Sequence, residues 1–225
     1  MTERGMIFNA DMVRAILDGR KTQTRRIMKL QPKPSKSRPG DFWFSSKKLE
    51  SMVHVSDLAP GNSPIADYHL FIQEHCCPFG AVGDRIWVRE TWAEAGASAP
   101  DLKLYRANYP EHVPSIYENV PPAEEIRWTP SIHMPRTASR ILLEITGVRV
   151  ERLNAISEED ARAEGIIDGG CLNCGEPEPC GCANPEPDAT DAFAYLWQSI
   201  YGQENWNANP WVWVIEFKRI EDRAA

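Results

Sequence analysis

The sequence predicts an α+β fold: a closed or curled antiparallel β-barrel flanked by about three helices and interrupted by loop insertions. Three observations carry that reading. Strand-like segments number about seven against three helical ones, without the alternation that builds parallel sheets. Eight Trp and 18 Pro point to a β-rich, loop-rich chain. A hydrophobic content of 42% over 225 residues suits a sizeable core without disulfide staples. No apolar run reaches the roughly 18 residues of a membrane span. The opening segment MTERGMIFNA lacks a signal-peptide layout. We therefore expect a cytoplasmic protein with no membrane partner.

Met6 to Phe8 is a short apolar run that reads as the first strand. Asn9 is positioned to cap a helix to about Asp18, with Val13, Ile16 and Leu17 on one face and Gly19 closing it. Thr22 to Met28 reads as a strand. The Pro-, Ser- and Gly-bearing stretch from Gln31 to about Ala66 reads as a long loop or insertion. Tyr68 to Gln73 reads as a strand, and Gly83-Asp84 turns into another in which Ile86 and Val88 alternate. Residues 94–130 look irregular apart from a strand at Leu102 to Arg106. Ile141 to Ile145 and Val148 to Leu153 form a strand pair with Gly147 near the turn. Ser157 caps a short acidic helix that Gly165 ends. Phe193, Leu196, Trp197 and Ile200 mark an amphipathic helix from Thr190 to Tyr201. Trp211 to Phe217 is the last strand, with Trp211, Trp213 and Ile215 on one face. The chain, 1–225, reads as one domain with insertions at about 30–66 and 94–135 and a Cys-rich one at 168–187.

The net charge of -7 hides an asymmetry. Residues 1–40 hold ten Lys/Arg against three acids, so they carry +7 and the remainder -14. That balance disfavours a global nucleic-acid coat and leaves a local anion-facing site near the N-terminus.

Within the basic segment, Gly19-Arg20-Lys21-Thr22-Gln23-Thr24-Arg25-Arg26 resembles the G-x-K-x-x-T-x-R signature of the ASCH superfamily. Further blocks resemble that superfamily in order along the chain. They are Gly83-Asp84 with Ile86 and Val88, Leu143-Glu144-Ile145-Thr146, the 157–165 helix, and Trp213-Val214-Ile215-Glu216-Phe217-Lys218. Arg89-Glu90-Thr91-Trp92 and Ser131-Ile132-His133-Met134-Pro135-Arg136 look like a phage or prophage branch. The resemblance implies a barrel like that of PUA RNA-binding domains. It also implies amidohydrolase activity on N(4)-acetylcytidine, as in small bacterial members. The catalytic Lys and Thr of those members fall on Lys21 and Thr24 here, and their Glu aligns with Glu164. Glu158 and Glu159 are the alternative carboxylates of the same helix.

These residue types suit amide hydrolysis. Thr24 supplies a hydroxyl nucleophile, and Lys21 serves as base if its pKa falls from about 10.4 toward neutrality. Arg20, Arg25 and Arg26 crowd it with positive charge that pushes in that direction. Glu164 moves protons or orients water. Residues 21 and 24 have opposite parity, so Lys21 must lie in the turn and Thr24 in the strand to converge. None of the three is expected to fill the core. The plainer reading has Thr24 as a β-former and Lys21 as a solvated turn residue. Arg26, Trp87, Arg89 and Glu90 are the candidate substrate-binding residues; Trp87 and Trp92 would wall a base-stacking pocket.

Cys171, Cys174, Cys180 and Cys182 form C-x2-C-x5-C-x-C, a spacing that suits a structural zinc knuckle. Four thiolates leave no open position, so no catalytic metal is expected, and no organic cofactor. His75-Cys76-Cys77 reads mainly as buried small apolar residues. The expected partner is a nucleoside or base. A non-catalytic RNA or modified-base reader and a ribonuclease are the competing functions.

Overall fold

The fold was analysed in a computed structural model that describes residues 1–97, 99–167 and 189–220. Its strands are β1 (Glu3–Ile7), β2 (Gln23–Ile27), β3 (Lys33–Pro34), β4 (Phe42–Ser46), β5 (Ser51–His54), β6 (Arg85–Arg89), β7 (Trp92–Glu94), β8 (Lys103–Tyr105), β9 (Leu142–Arg152) and β10 (Trp211–Ile220). The helices are α1 (Ala10–Leu17), α2 (Tyr68–Cys76), α3 (Glu158–Ala163), α4 (Ala189–Tyr201) and α5 (Gln203–Asn207). The class is α+β. Among the described residues there are more elements of both kinds than the sequence suggests, because short strands escape a periodicity argument.

The main sheet has the order β1-β6-β9-β10-β2. Its pairs are antiparallel except β1 with β6, which is parallel, so the expected all-antiparallel sheet is corrected at one edge. The physical reason is the crossover: nearly eighty residues separate the two strands, enough for a parallel return. The edge strands approach one another through side chains, with Arg26 Nη2 on β2 donating to the Ile7 carbonyl of β1 at 2.9 Å.

Three local expectations are also corrected. Tyr68–Cys76 is a helix, not a strand; a short apolar run such as Leu70-Phe71-Ile72 fits either period. The expected pair at 139–152 is one strand, β9, which follows β10 along its length. Gly147 marks a bulge there rather than a turn: Glu216 pairs with Gly147 and Phe217 with Ile145, leaving Thr146 as the extra residue. The 31–66 stretch is not merely loop, since β3, β4 and β5 form a small antiparallel sheet within it.

β10 is buried on both faces. Trp211, Trp213, Ile215 and Phe217 join an apolar cluster with Met6, Phe8, Ile86, Val88, Leu143 and Ile145. Val212 and Val214 point into a second cluster with Leu153, Ala161, Phe193 and Trp197. The α3 and α4 helices therefore cover the sheet at its β2 side, next to the signature segment. The cysteines expected to hold zinc, Cys171, Cys174, Cys180 and Cys182, and the 168–187 insertion lie outside the described residues.

Candidate active site

Local chain chemistry brings Lys21 to Glu164. Asn9 accepts from the Met12 amide and starts α1, and Gly19 (φ +77°) lets the chain leave it. The Lys21 amide then donates to the Ala15 carbonyl and the Thr22 amide to the Ala163 carbonyl, at 2.9 and 2.8 Å. These bonds hold Lys21 in an isolated antiparallel bridge with Glu164, outside strand β2, while Thr24 lies within it. The parity condition is met in this way. Glu164 caps the C-terminus of α3, whose N-cap Ser157 accepts from the Asp160 amide at 3.1 Å. Gly165 follows with φ +90°, and a Cβ there would stand 2.7 Å from Ala15 Cβ and 3.0 Å from Lys21 Cβ. Only glycine permits this approach.

Lys21 Nζ lies 2.5 Å from Glu164 Oε2 and donates also to the Glu164 carbonyl at 2.8 Å. The two side chains are 0% and 3% exposed. Arg25 Nη1 donates to Glu164 Oε1 at 3.2 Å, and its Nη2 reaches Glu151 and Asp160 at 2.5 and 2.9 Å. Arg149 binds the same two carboxylates from β9, and Gln23 donates to the Asp160 carbonyl. The result is a charge-alternating network, partly exposed at Arg149, Glu151 and Asp160, with Lys21 at its dry end. Burial is the main force lowering the Lys21 pKa. Glu164 opposes that shift, and Arg26 and Arg25 add to it. Of the arginines expected from sequence to crowd Lys21, Arg25 and Arg26 do so, as an effect secondary to desolvation, while Arg20 turns to Asp18 and the Gly165 carbonyl.

A cleft of about 310 Å³ opens beside this pair. Thr24, Arg25, Arg26 and Glu164 line it from the sheet side, and Phe193, Trp197 and Tyr201 from α4. Lys21 is not part of the wall and meets the cleft through Glu164. The wall therefore combines a hydroxyl, a carboxylate sharing a short contact with an amine, a guanidinium and aromatic faces. Such a set can perform acyl transfer. Glu158 and Glu159 turn away: Glu158 pairs with Arg162 at 3.0 Å and Glu159 is exposed.

Arg26 is the one candidate binding residue at this cleft, and its guanidinium also sits 5.3 Å over the Phe8 ring. Trp87, Arg89 and Glu90 are not brought to it. They belong to β6 or its end, and two strands, β9 and β10, lie between β6 and β2 in the sheet. Arg89 stacks 5.4 Å over Trp87 and donates to the Ser131 carbonyl at 3.1 Å. Glu90, 2% exposed, receives both bonds of Arg140 at 2.9 and 3.0 Å. Trp92 is buried against Tyr105 and Met134. Sequence reasoning had Arg25 only as a charge crowding Lys21 and missed that it binds Glu164 and Asp160, although these stand one helical turn apart and call for a shared cation. Comparison of the chain with protein-family models, curated proteins and solved structures gives no match.

Proposed function

We propose that the protein is an amidohydrolase that removes the acyl group from N(4)-acylated cytosine or cytidine-type nucleosides. The observation that carries this reading is the buried Lys21–Glu164 pair, whose Glu164 lines a cleft that Thr24 also lines. In the proposed reaction Thr24 Oγ1 attacks the acyl carbon and its proton passes by way of Glu164 to the neutral amine of Lys21, the base. The C–N bond then breaks, and the exocyclic amine leaves with that proton. Water hydrolyses the threonyl ester, releasing the carboxylic acid and restoring Thr24. Arg26 faces the charge that develops on the acyl oxygen. Phe193, Trp197 and Tyr201 offer faces for the ring. Within the same reading the sheet is PUA-like, its curl supported by the Arg26–Ile7 contact between edge strands.

The RNA-reader and ribonuclease alternatives draw less support. Arg4, Arg14, Arg20, Lys21, Arg25 and Arg38 of the basic segment are held in ion pairs, so most of its charge is neutralised internally. The test is incubation with N(4)-acetylcytidine, following the ultraviolet change to cytidine, for wild type and Thr24→Val. Conversion by wild type and its loss in the variant are expected; no conversion by wild type would overturn the reading.

A further inference from the structure

Lys29, Lys47 and Lys48 form a group around one cleft. All three are exposed, and no carboxylate of the described residues pairs with them. They line one cleft of about 370 Å³, between the end of β2, the β4–β5 hairpin and the C-terminus of α2. Among the described residues no Asp or Glu lines that cleft, in a chain of net charge -7. Its floor is aromatic: the Phe44 and Trp213 rings meet edge to face at 6.0 Å, and half-buried Phe79 forms a side wall. Like charges gathered without a counter-charge repel one another, and an anion seated among them relieves that repulsion. Lysine suits phosphate as a point charge, while an apolar aromatic floor suits a flat ring. The volume falls within the about 300–1,000 Å³ of small-ligand clefts.

We propose that this cleft binds a phosphomonoester joined to a flat ring, the chemistry of a nucleoside monophosphate. Among the described residues it shares no lining residue with the Thr24–Glu164 cleft, so the proposal stands independently of the amidohydrolase reading. Phe44, Lys47 and Lys48 come from the inserted hairpin, which gives that hairpin a purpose beyond covering the sheet.

The test is calorimetric titration of the full chain with cytidine 5′-monophosphate, with cytidine and inorganic phosphate titrated in parallel. The nucleotide should bind, and each of the two fragments should bind at least about tenfold more weakly. Lys47→Ala/Lys48→Ala should weaken nucleotide binding at least about tenfold, and raising salt from about 0.05 to 0.5 M should weaken it further, because exposed charges are screened. Thr24→Val should leave it unchanged. The proposal is overturned by absence of nucleotide binding up to about 1 mM, by indifference to the lysine substitutions, by phosphate alone matching the nucleotide, or by loss of binding in Thr24→Val.

Discussion

Lys21 has no exposed side-chain surface, and that single fact decides how its site should be probed. The expectation that Lys21, Thr24 and Glu164 stand clear of the core does not hold, since all three are buried. Removing one member of a buried ion pair strands the other, at a cost of about 3–5 kcal/mol. Lys21→Met should therefore lower stability by about that much in denaturant melts. Lys21→Met/Glu164→Leu should recover much of the loss, because neither charge is then left unpaired. Deacylation should stay at least about 100-fold down in both, which separates chemistry from folding. The pH dependence has a definite sign. Burial lowers the Lys21 pKa below 10.5, so the neutral amine accumulates at lower pH than in a solvated lysine. The rate should rise with pH and level off before the ordinary lysine range; a limb still climbing at 10.5 would remove Lys21 as the base. The two thiols at the C-terminus of α2, Cys76 and Cys77, give an independent check on burial. Desolvation pushes Cys77 up to about 11 and raises Cys76 as well. At pH 8 neither should react readily with a disulfide reagent until the chain is unfolded.

At the scale of elements, Gly165 ties α3 to the turn that bears Lys21. Alanine there would combine a left-handed backbone with a contact of 2.7 Å to Ala15. We expect Gly165→Ala to cost about 2–4 kcal/mol and to depress deacylation more than a core substitution of equal cost, because it displaces Lys21 itself. Asp84 anchors the other edge. Burial alone would raise its pKa, but donation from the Thr2 and Ala81 amides and from Arg4 holds it at about 2. Its carboxylate therefore stabilises the fold above pH 4, and that contribution should fade as pH falls from about 4 to 2; Asp84→Asn should flatten the acid limb. What was legible in the sequence follows from how local the signal is. Asn9, Gly19 and Ser157 bound α1 and α3 because caps act over three or four residues. That Lys21 meets Glu164 beside Thr24 was expected from a resemblance between short motifs, not from any local cap. The bulge at Gly147 was not, because a glycine between two apolar runs looks the same in a hairpin and in one bent strand. The position of Trp87, Arg89 and Glu90 was hidden for another reason. Which strand lies beside β2 is set by pairings across more than a hundred residues, and nothing near β6 reports that order.

At the scale of the molecule, β10 joins two apolar clusters that could otherwise unfold apart. Its Trp213 and Ile215 face one cluster, and Val212 and Val214 the other. Thr24 pairs with Ile215 in register, so the candidate site sits on the shared strand's neighbour rather than in either cluster alone. Loss of packing on one side should therefore be felt on the other. Ile215→Ala removes side-chain volume from a fully buried position and should cost about 2–5 kcal/mol. Trp197 lies in the second cluster and Trp213 in the first; in a chain of eight Trp each is read as the difference between the fluorescence with and without it. In guanidinium, the Trp197→Phe and Trp213→Phe backgrounds should each unfold with one midpoint by fluorescence and by far-ultraviolet dichroism. Adding Ile215→Ala should lower both midpoints together. Two separated transitions, with Ile215→Ala moving only the one reported by Trp213, would show that the clusters are independent. In that case Thr24 and Glu164 would belong to different cooperative units. The cleft they line would then open without global unfolding, and substrate would protect it far more than it protects the first cluster.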